Sequence, residues 1–209
     1  MDHPPIVGAV ARPTRWQTGT KPGHSDWYVD RFRRLAREGE DLAGEARLMD
    51  AVLAPRSRVL DAGCGTGRVG AVLHERGHTV VGVDADPVLV EAAEADHPGP
   101  RWLVADLTEL DLPAMGIADP FDGAVLAGNV MVFVAPGTEA DVLRRVAAHV
   151  AGDGPVVTGF HVHRELALPD FDRAVEAAGL RVEHRFATWD LRAWHDAADF
   201  AVSVLRRAG

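Results

Sequence analysis

The sequence of 209 residues holds a single cysteine, Cys64, so no disulfide can close within the chain. It has no apolar run long enough to span a bilayer. Its first residues, MDHPPIVGAVARP, lack the basic start and apolar centre of a secretory leader. These absences set the expectation of a cytoplasmic protein without a membrane partner. Positive charge is short as well: 22 Lys and Arg against 31 Asp and Glu leave a net charge of −9. That balance opposes binding to a phosphate backbone, so nucleic acid is an unfavourable partner. The run Arg31, Arg33, Arg34 and Arg37 reads instead as a solvated helix face. Internal repeats, low-complexity tracts and a second domain are lacking, and no metal site is assigned.

What is present is an ordinary globular composition, 47% hydrophobic and 25% charged, in a length that suits one α/β domain. Residues 1–24, rich in Pro, Gly, Thr and Arg and without period, read as an irregular arm. Residues 25–209 read as a single domain, with helices over 25–56 and a Rossmann-like core over 57–209. Strands ending at Asp61, Asp84 and Asp106 alternate with helices, and FDGAVLAG and GPVVTGFHV give two more strands. Asp86 should cap a helix that begins at Pro87, while Thr138 with Asp141 should form a capping box. The last two strands, RVEHRFATW and DFAVSVLRR, pair antiparallel because no helical crossover fits between them. The expected fold is a doubly wound, seven-stranded sheet, mostly parallel with an antiparallel C-terminal hairpin, with helices on both faces.

Chemistry concentrates in RVLDAGCGTGRVG, residues 58–70. Its glycines fall in two registers, Gly63, Gly65 and Gly67, or Gly65, Gly67 and Gly70. The second spells a dinucleotide fingerprint, whose pyrophosphate would sit on the following helix. Asp61 favours the first register, because a fixed carboxylate repels pyrophosphate and suits a sulfonium or α-ammonium group. Gly70 is then a helix-packing residue. Cys64, between two glycines and without a His or Asp partner, reads as a small loop residue rather than a nucleophile. Asp84 can accept two hydrogen bonds from a ribose diol, and Asp106, beside Leu107, can accept one from an adenine amino group. All three acids stand at strand ends, on the carboxyl edge where open α/β sheets bind ligands.

With VLDAGCGTG, VVGVDAD, VAD and FDGAVLAGNV in this order, residues 27–209 resemble the class I S-adenosylmethionine-dependent methyltransferases. The resemblance implies S-adenosyl-L-methionine as cofactor and S-adenosyl-L-homocysteine as product. It implies that Asp61, Gly63, Gly65 and Gly67 surround the methionine part, and that Asp84 and Ala85 meet the ribose. Asp106 and Leu107 would meet the adenine, and Ala127, Gly128 and Asn129 the methionyl side. Tyr28 would fold over the cofactor.

Methyl transfer from a sulfonium demands alignment and the exclusion of water, and a base only when the nucleophile carries a proton. His161 and His163 are the candidate bases, on one face at the end of the fifth strand, with His195 a weaker one. After Asn129 comes Val130 rather than the proline pair of amino-methylating nucleic-acid enzymes, which turns the expectation toward a small-molecule acceptor. Trp16, Trp27, Met131, Phe133 and Phe160 are candidates to line its pocket. A nicotinamide-dependent oxidoreductase and a non-catalytic S-adenosylmethionine-binding protein are the alternatives.

Overall fold

Each apolar run pairs with its neighbours in one sheet of seven strands, seen in a computed structural model that describes residues 12–209. The first two strands are β1 (Arg58–Ala62) and β2 (Thr79–Asp84), followed by β3 (Arg101–Val104) and β4 (Gly123–Leu126). β5 (Val156–His161), β6 (Leu180–Phe186) and β7 (Phe200–Arg207) complete the sheet. Their order is β3-β2-β1-β4-β5-β7-β6. β1 to β5 run parallel, while β7 lies antiparallel between β5 and β6. The expected fold class is therefore the observed one.

Helices α1 (Arg15–Gly19), α2 (His24–Arg37) and α3 (Gly44–Val52) precede the sheet. α4 (Arg68–Glu75) and α5 (Pro87–Asp96) follow β1 and β2; α6 (Val130–Phe133) and α7 (Glu139–Ala148) follow β4; α8 (Leu168–Ala177) follows β5. The two-residue strand period sorts the core into layers. Val59, Val80, Val125 and Val157 pack with α3 and α4, whereas Leu60, Val81, Ala124 and Phe160 pack with α7 and α8. Successive strands are added outward in one direction from β1 to β3 and in the other from β4, and the cleft opens at that switch point between the parallel β1 and β4.

Local signals mostly act as expected. Asp86 Oδ1 accepts from Val88 N–H at 2.9 Å, with Pro87 in the first turn of α5. Gly77 and Gly179 take left-handed φ values of 93° and 74° just past α4 and α8.

Three expectations need correction. Within the supposed irregular arm, residues 15–19 form α1, because Thr14 and Gln17 build a reciprocal capping box; residues 1–11 lie outside the described residues. Thr138 precedes α7 but makes no cap. Its backbone, at φ −108° and ψ 4°, leaves the extended region a capping side chain needs, and its hydroxyl donates to Ala135 O at 2.7 Å. β5 ends at His161, so His163 stands exposed in the following turn and strand alternation no longer relates the two.

Candidate active site

The glycine turn is built by contacts behind it. Gly63 and Cys64 both donate to Val83 O, at 2.7 and 3.0 Å, which docks the turn on the end of β2. Gly63 has φ 79°, and a Cβ there would come within 2.3 Å of a Val130 methyl. Gly67, also at φ 79°, would press a Cβ to 2.9 Å from both Ala93 and Trp102. Gly67 therefore packs inward, not toward the cleft. Gly70 does the same, 2.8 Å from Trp102 when a Cβ is added. That leaves the dinucleotide register without a free third glycine. Cys64 is buried with Val90, Ala93 and Trp102, and burial pushes its thiol up, so it offers no thiolate.

Asp61 is buried beneath this turn, and its Oδ2 accepts the Gly70 N–H of the first turn of α4 at 2.9 Å. Burial pushes its carboxyl up to about 7, against the Gly70 hydrogen bond and the charge of Arg68. Asp84 takes Gly65 N–H on Oδ2 and Asp86 N–H on Oδ1, each at 2.9 Å. Burial raises its carboxyl also, with these backbone donors opposing. Each oxygen keeps a lone pair for a ligand hydroxyl. Asp106 Oδ1 accepts both the N–H and the hydroxyl of Thr108 at 2.7 Å, which leaves Oδ2 to the cleft.

A roof closes over these acids. Tyr28 on α2 lies across the glycine turn: a Cβ at Gly65 would sit 3.7 Å from its ring, and one at Gly128 3.9 Å from its hydroxyl. Burial holds its phenol above the usual range, with Arg68 pulling the other way. Trp16 on α1 meets Tyr28 and Phe133 edge to face at 5.3 Å and His24 at 4.7 Å. Trp16 Nε1 donates to Asp86 Oδ2 at 2.8 Å, and Ser25 binds the same oxygen. Arg15 anchors α1 on the other side, donating to Val134 O at 3.0 Å and Glu139 Oε1 at 3.2 Å. Arg68 is spent on Glu45 and Leu42 O.

Together these groups enclose a cavity of about 480 Å³. The predicted residues on its wall are Asp61, Gly63, Gly65, Asp84, Ala85, Asp106, Leu107, Ala127, Gly128 and Tyr28. Gly67 and Asn129 are not on it. Asn129 holds a left-handed turn at φ 68°, and its Oδ1 accepts His161 N–H at 2.8 Å, which fastens the β4–α6 turn to β5. Nor do His161, His163 or His195 reach the wall: the His161 ring packs edge-on against Phe200 at 4.9 Å, and His195 is exposed. Of the pocket candidates, Trp16 and Phe133 line the cavity, Met131 and Phe160 are core, and Trp27 is 54% exposed. His24 and Asp86, absent from the expected ligand set, do line it. The Thr14–Gln17 spacing, which orders α1, is the sequence signal that points to this roof.

A parallel sheet with one antiparallel strand inserted before its edge, and acids at the ends of β1 and β2 and two residues past β3 facing one cleft, defines a class: the class I S-adenosylmethionine-dependent methyltransferases. Known proteins agree. The profile of the family described as "Methyltransferase domain" matches residues 59–154. A TehB-like SAM-dependent methyltransferase from Corynebacterium glutamicum is 39% identical, over 90% of this chain and 100% of that one, with a TM-score of 0.83. The chain belongs to this family, whose cofactor is S-adenosylmethionine. Magnesium-protoporphyrin O-methyltransferase of Rhodobacter capsulatus is 33% identical over 120 residues, 54% of this chain and 50% of that protein. The chain thus spans half or less of the curated relatives it matches. The 1,6-didemethyltoxoflavin-N1-methyltransferase of Burkholderia thailandensis shares the fold, at TM-score 0.61 and 22% identity over 91% of this chain and 92% of that one.

Proposed function

We propose that this protein transfers the methyl group of S-adenosylmethionine to a small-molecule acceptor by in-line displacement. One observation carries the reading: a single cavity of about 480 Å³ gathers the glycine turn, three strand-end acids and an aromatic roof. Asp61 faces the place of the cationic methionyl end, Asp84 that of the ribose diol, and Asp106 Oδ2 that of the adenine amino group. The bound cofactor supplies a methyl group on a sulfonium, an electrophile that loses its charge as the bond to sulfur breaks. Tyr28, Trp16 and Phe133 exclude water and fix the line of approach, which is the main demand of such a reaction.

The cavity's size supports a small acceptor, since pockets of roughly 300–1,000 Å³ hold one drug-sized ligand and the cofactor fills much of that space. Two relatives act, by their names, on magnesium-protoporphyrin and 1,6-didemethyltoxoflavin, which supports the same class. The lone, buried Cys64 supports a reducing, cytoplasmic setting. Calorimetry with S-adenosylhomocysteine and with NAD tests the cofactor site: binding of the first alone is expected, and binding of NAD alone overturns the proposal. Transfer of labelled methyl to a component of a metabolite extract tests the acceptor class.

A further inference from the structure

Resting on that reading, we infer that His24 accepts the proton of the methyl acceptor, and that the acceptor is a small aromatic hydroxy acid whose carboxylate meets Lys21. The wall of the cavity has two unequal parts. Its floor carries Asp61, Asp84, Asp86 and Asp106, each already holding backbone or side-chain donors and hostile to an anion. Its roof carries Trp16, Phe133, His24 and Lys21.

His24 opens α2. Its ring is held edge-on by Trp16 at 4.7 Å and stacked on Trp27 at 5.2 Å, which fixes the imidazole plane. Neither ring nitrogen has a hydrogen-bond partner among the described residues, whereas His78 and His149 are each bonded through Nε2. An oriented, half-buried imidazole with free nitrogens at a reaction cavity is equipped for general base work. The other histidines offered by the sequence lie off the wall.

Lys21 is the only lysine of the chain. Its carbonyl accepts His24 N–H at 3.0 Å, so the two side chains leave the same tight turn. Among the described residues it forms no ion pair, whereas the cavity's other cation, Arg68, is saturated by Glu45 and Leu42. Among the described residues on the cavity wall, Lys21 is the positive group free to meet a carboxylate, and its turn also carries the proton acceptor. The same wall carries the aromatic side chains of Trp16 and Phe133, which suit an aromatic ring. The step balances: the acceptor oxygen forms a bond to the methyl carbon, the carbon–sulfur bond breaks with its electron pair left on sulfur, and the hydroxyl proton passes to a His24 nitrogen and then to water.

The test uses protein loaded with S-adenosylhomocysteine, titrated in a calorimeter with salicylate, 3-hydroxybenzoate and 4-hydroxybenzoate. Methyl transfer to each acid is followed separately with labelled cofactor. At least one isomer should bind and be methylated. Lys21→Gln should weaken its binding about tenfold or more, as expected for a lost charged hydrogen bond. His24→Gln should bind it within about threefold while transfer falls roughly a hundredfold. Added imidazole should restore turnover to His24→Ala, an effect that a structural role would not produce. Product binding doubles as the folding check, since all three variants should hold S-adenosylhomocysteine as the native protein does. If the product binds but no hydroxybenzoate does, or if His24→Gln turns over at the native rate, the inference fails and the methyltransferase reading stands. Failure of the native protein to bind the product sinks that reading itself.

Discussion

A carboxylate ahead of a glycine turn carries a charge, and that alone makes Asp61 look like a cation site from sequence. Folding adds a second duty, because the same group holds Gly70 N–H in the first turn of α4 while fully buried. Its carboxyl, pushed up to about 7 by burial, binds a proton that the unfolded chain, near 3.9, has already released. Folded protein therefore holds more protons across this interval, so unfolding free energy falls as pH rises from about 4 to about 7, by at most ~1.4 kcal/mol per unit, and levels off above. Asp84 has the same sign, while Asp41 and Asp50, held low by Arg47 and by His78 with Arg76, have the opposite one. The comparison of native protein with Asp61→Asn in denaturant melts at several pH values isolates the Asp61 part; parallel pH profiles would refute it. For Asp84→Ala we expect a loss of about 1.5–3 kcal/mol in S-adenosylhomocysteine affinity from the unpaired diol, read by calorimetry. An unchanged affinity would remove Asp84 from the site.

Among elements, those with a clear period were legible and those set by long-range contacts were not. The ends of β1, one residue past Asp61, and of β2, at Asp84, followed from short apolar runs stopped by a glycine turn or a cap. α1 has five residues and no apolar face of its own; it is a helix because Thr14 and Gln17 cap it and because Arg15 and Trp16 bond to residues far along the chain. Nothing in a local window carries those last contacts. Arg15→Ala should free α1 from Val134 and Glu139, raising amide hydrogen exchange over residues 14–20 while β1 and β4 keep their protection. Equal exchange in both proteins would show that Trp16 alone holds the roof. Gly67 gives a prediction of a different kind. Ala there meets both a left-handed φ of 79° and contacts of 2.9 Å with Ala93 and Trp102, so Gly67→Ala should destabilise by about 2–4 kcal/mol in urea melts. A loss below about 0.5 kcal/mol would mean that α5 yields easily.

At the scale of the molecule, a mostly parallel sheet closed by an antiparallel hairpin was readable because right-handed crossovers leave few choices, whereas the shared face expected of His161 and His163 is not found, because strand alternation was carried past His161, where β5 stops. Net charge is the whole-molecule quantity with a functional consequence. At −9 the protein's field draws in cations, and the cavity concentrates four acids against Lys21 and the paired Arg68. S-adenosylmethionine carries one net positive charge at neutral pH, while S-adenosylhomocysteine, lacking the sulfonium, carries none. The two ligands otherwise meet the same walls, so they separate the field from the contacts. Raising ionic strength from about 20 to about 300 mM should slow association of the cofactor several-fold and leave that of the product nearly constant, since screening acts on the net charge of the approaching ligand. Stopped-flow tryptophan fluorescence, with Trp16 in the roof as reporter, measures both rates. Equal salt dependence for the two would show that the field plays no part in delivery, and that donor and product are told apart only once inside the cleft.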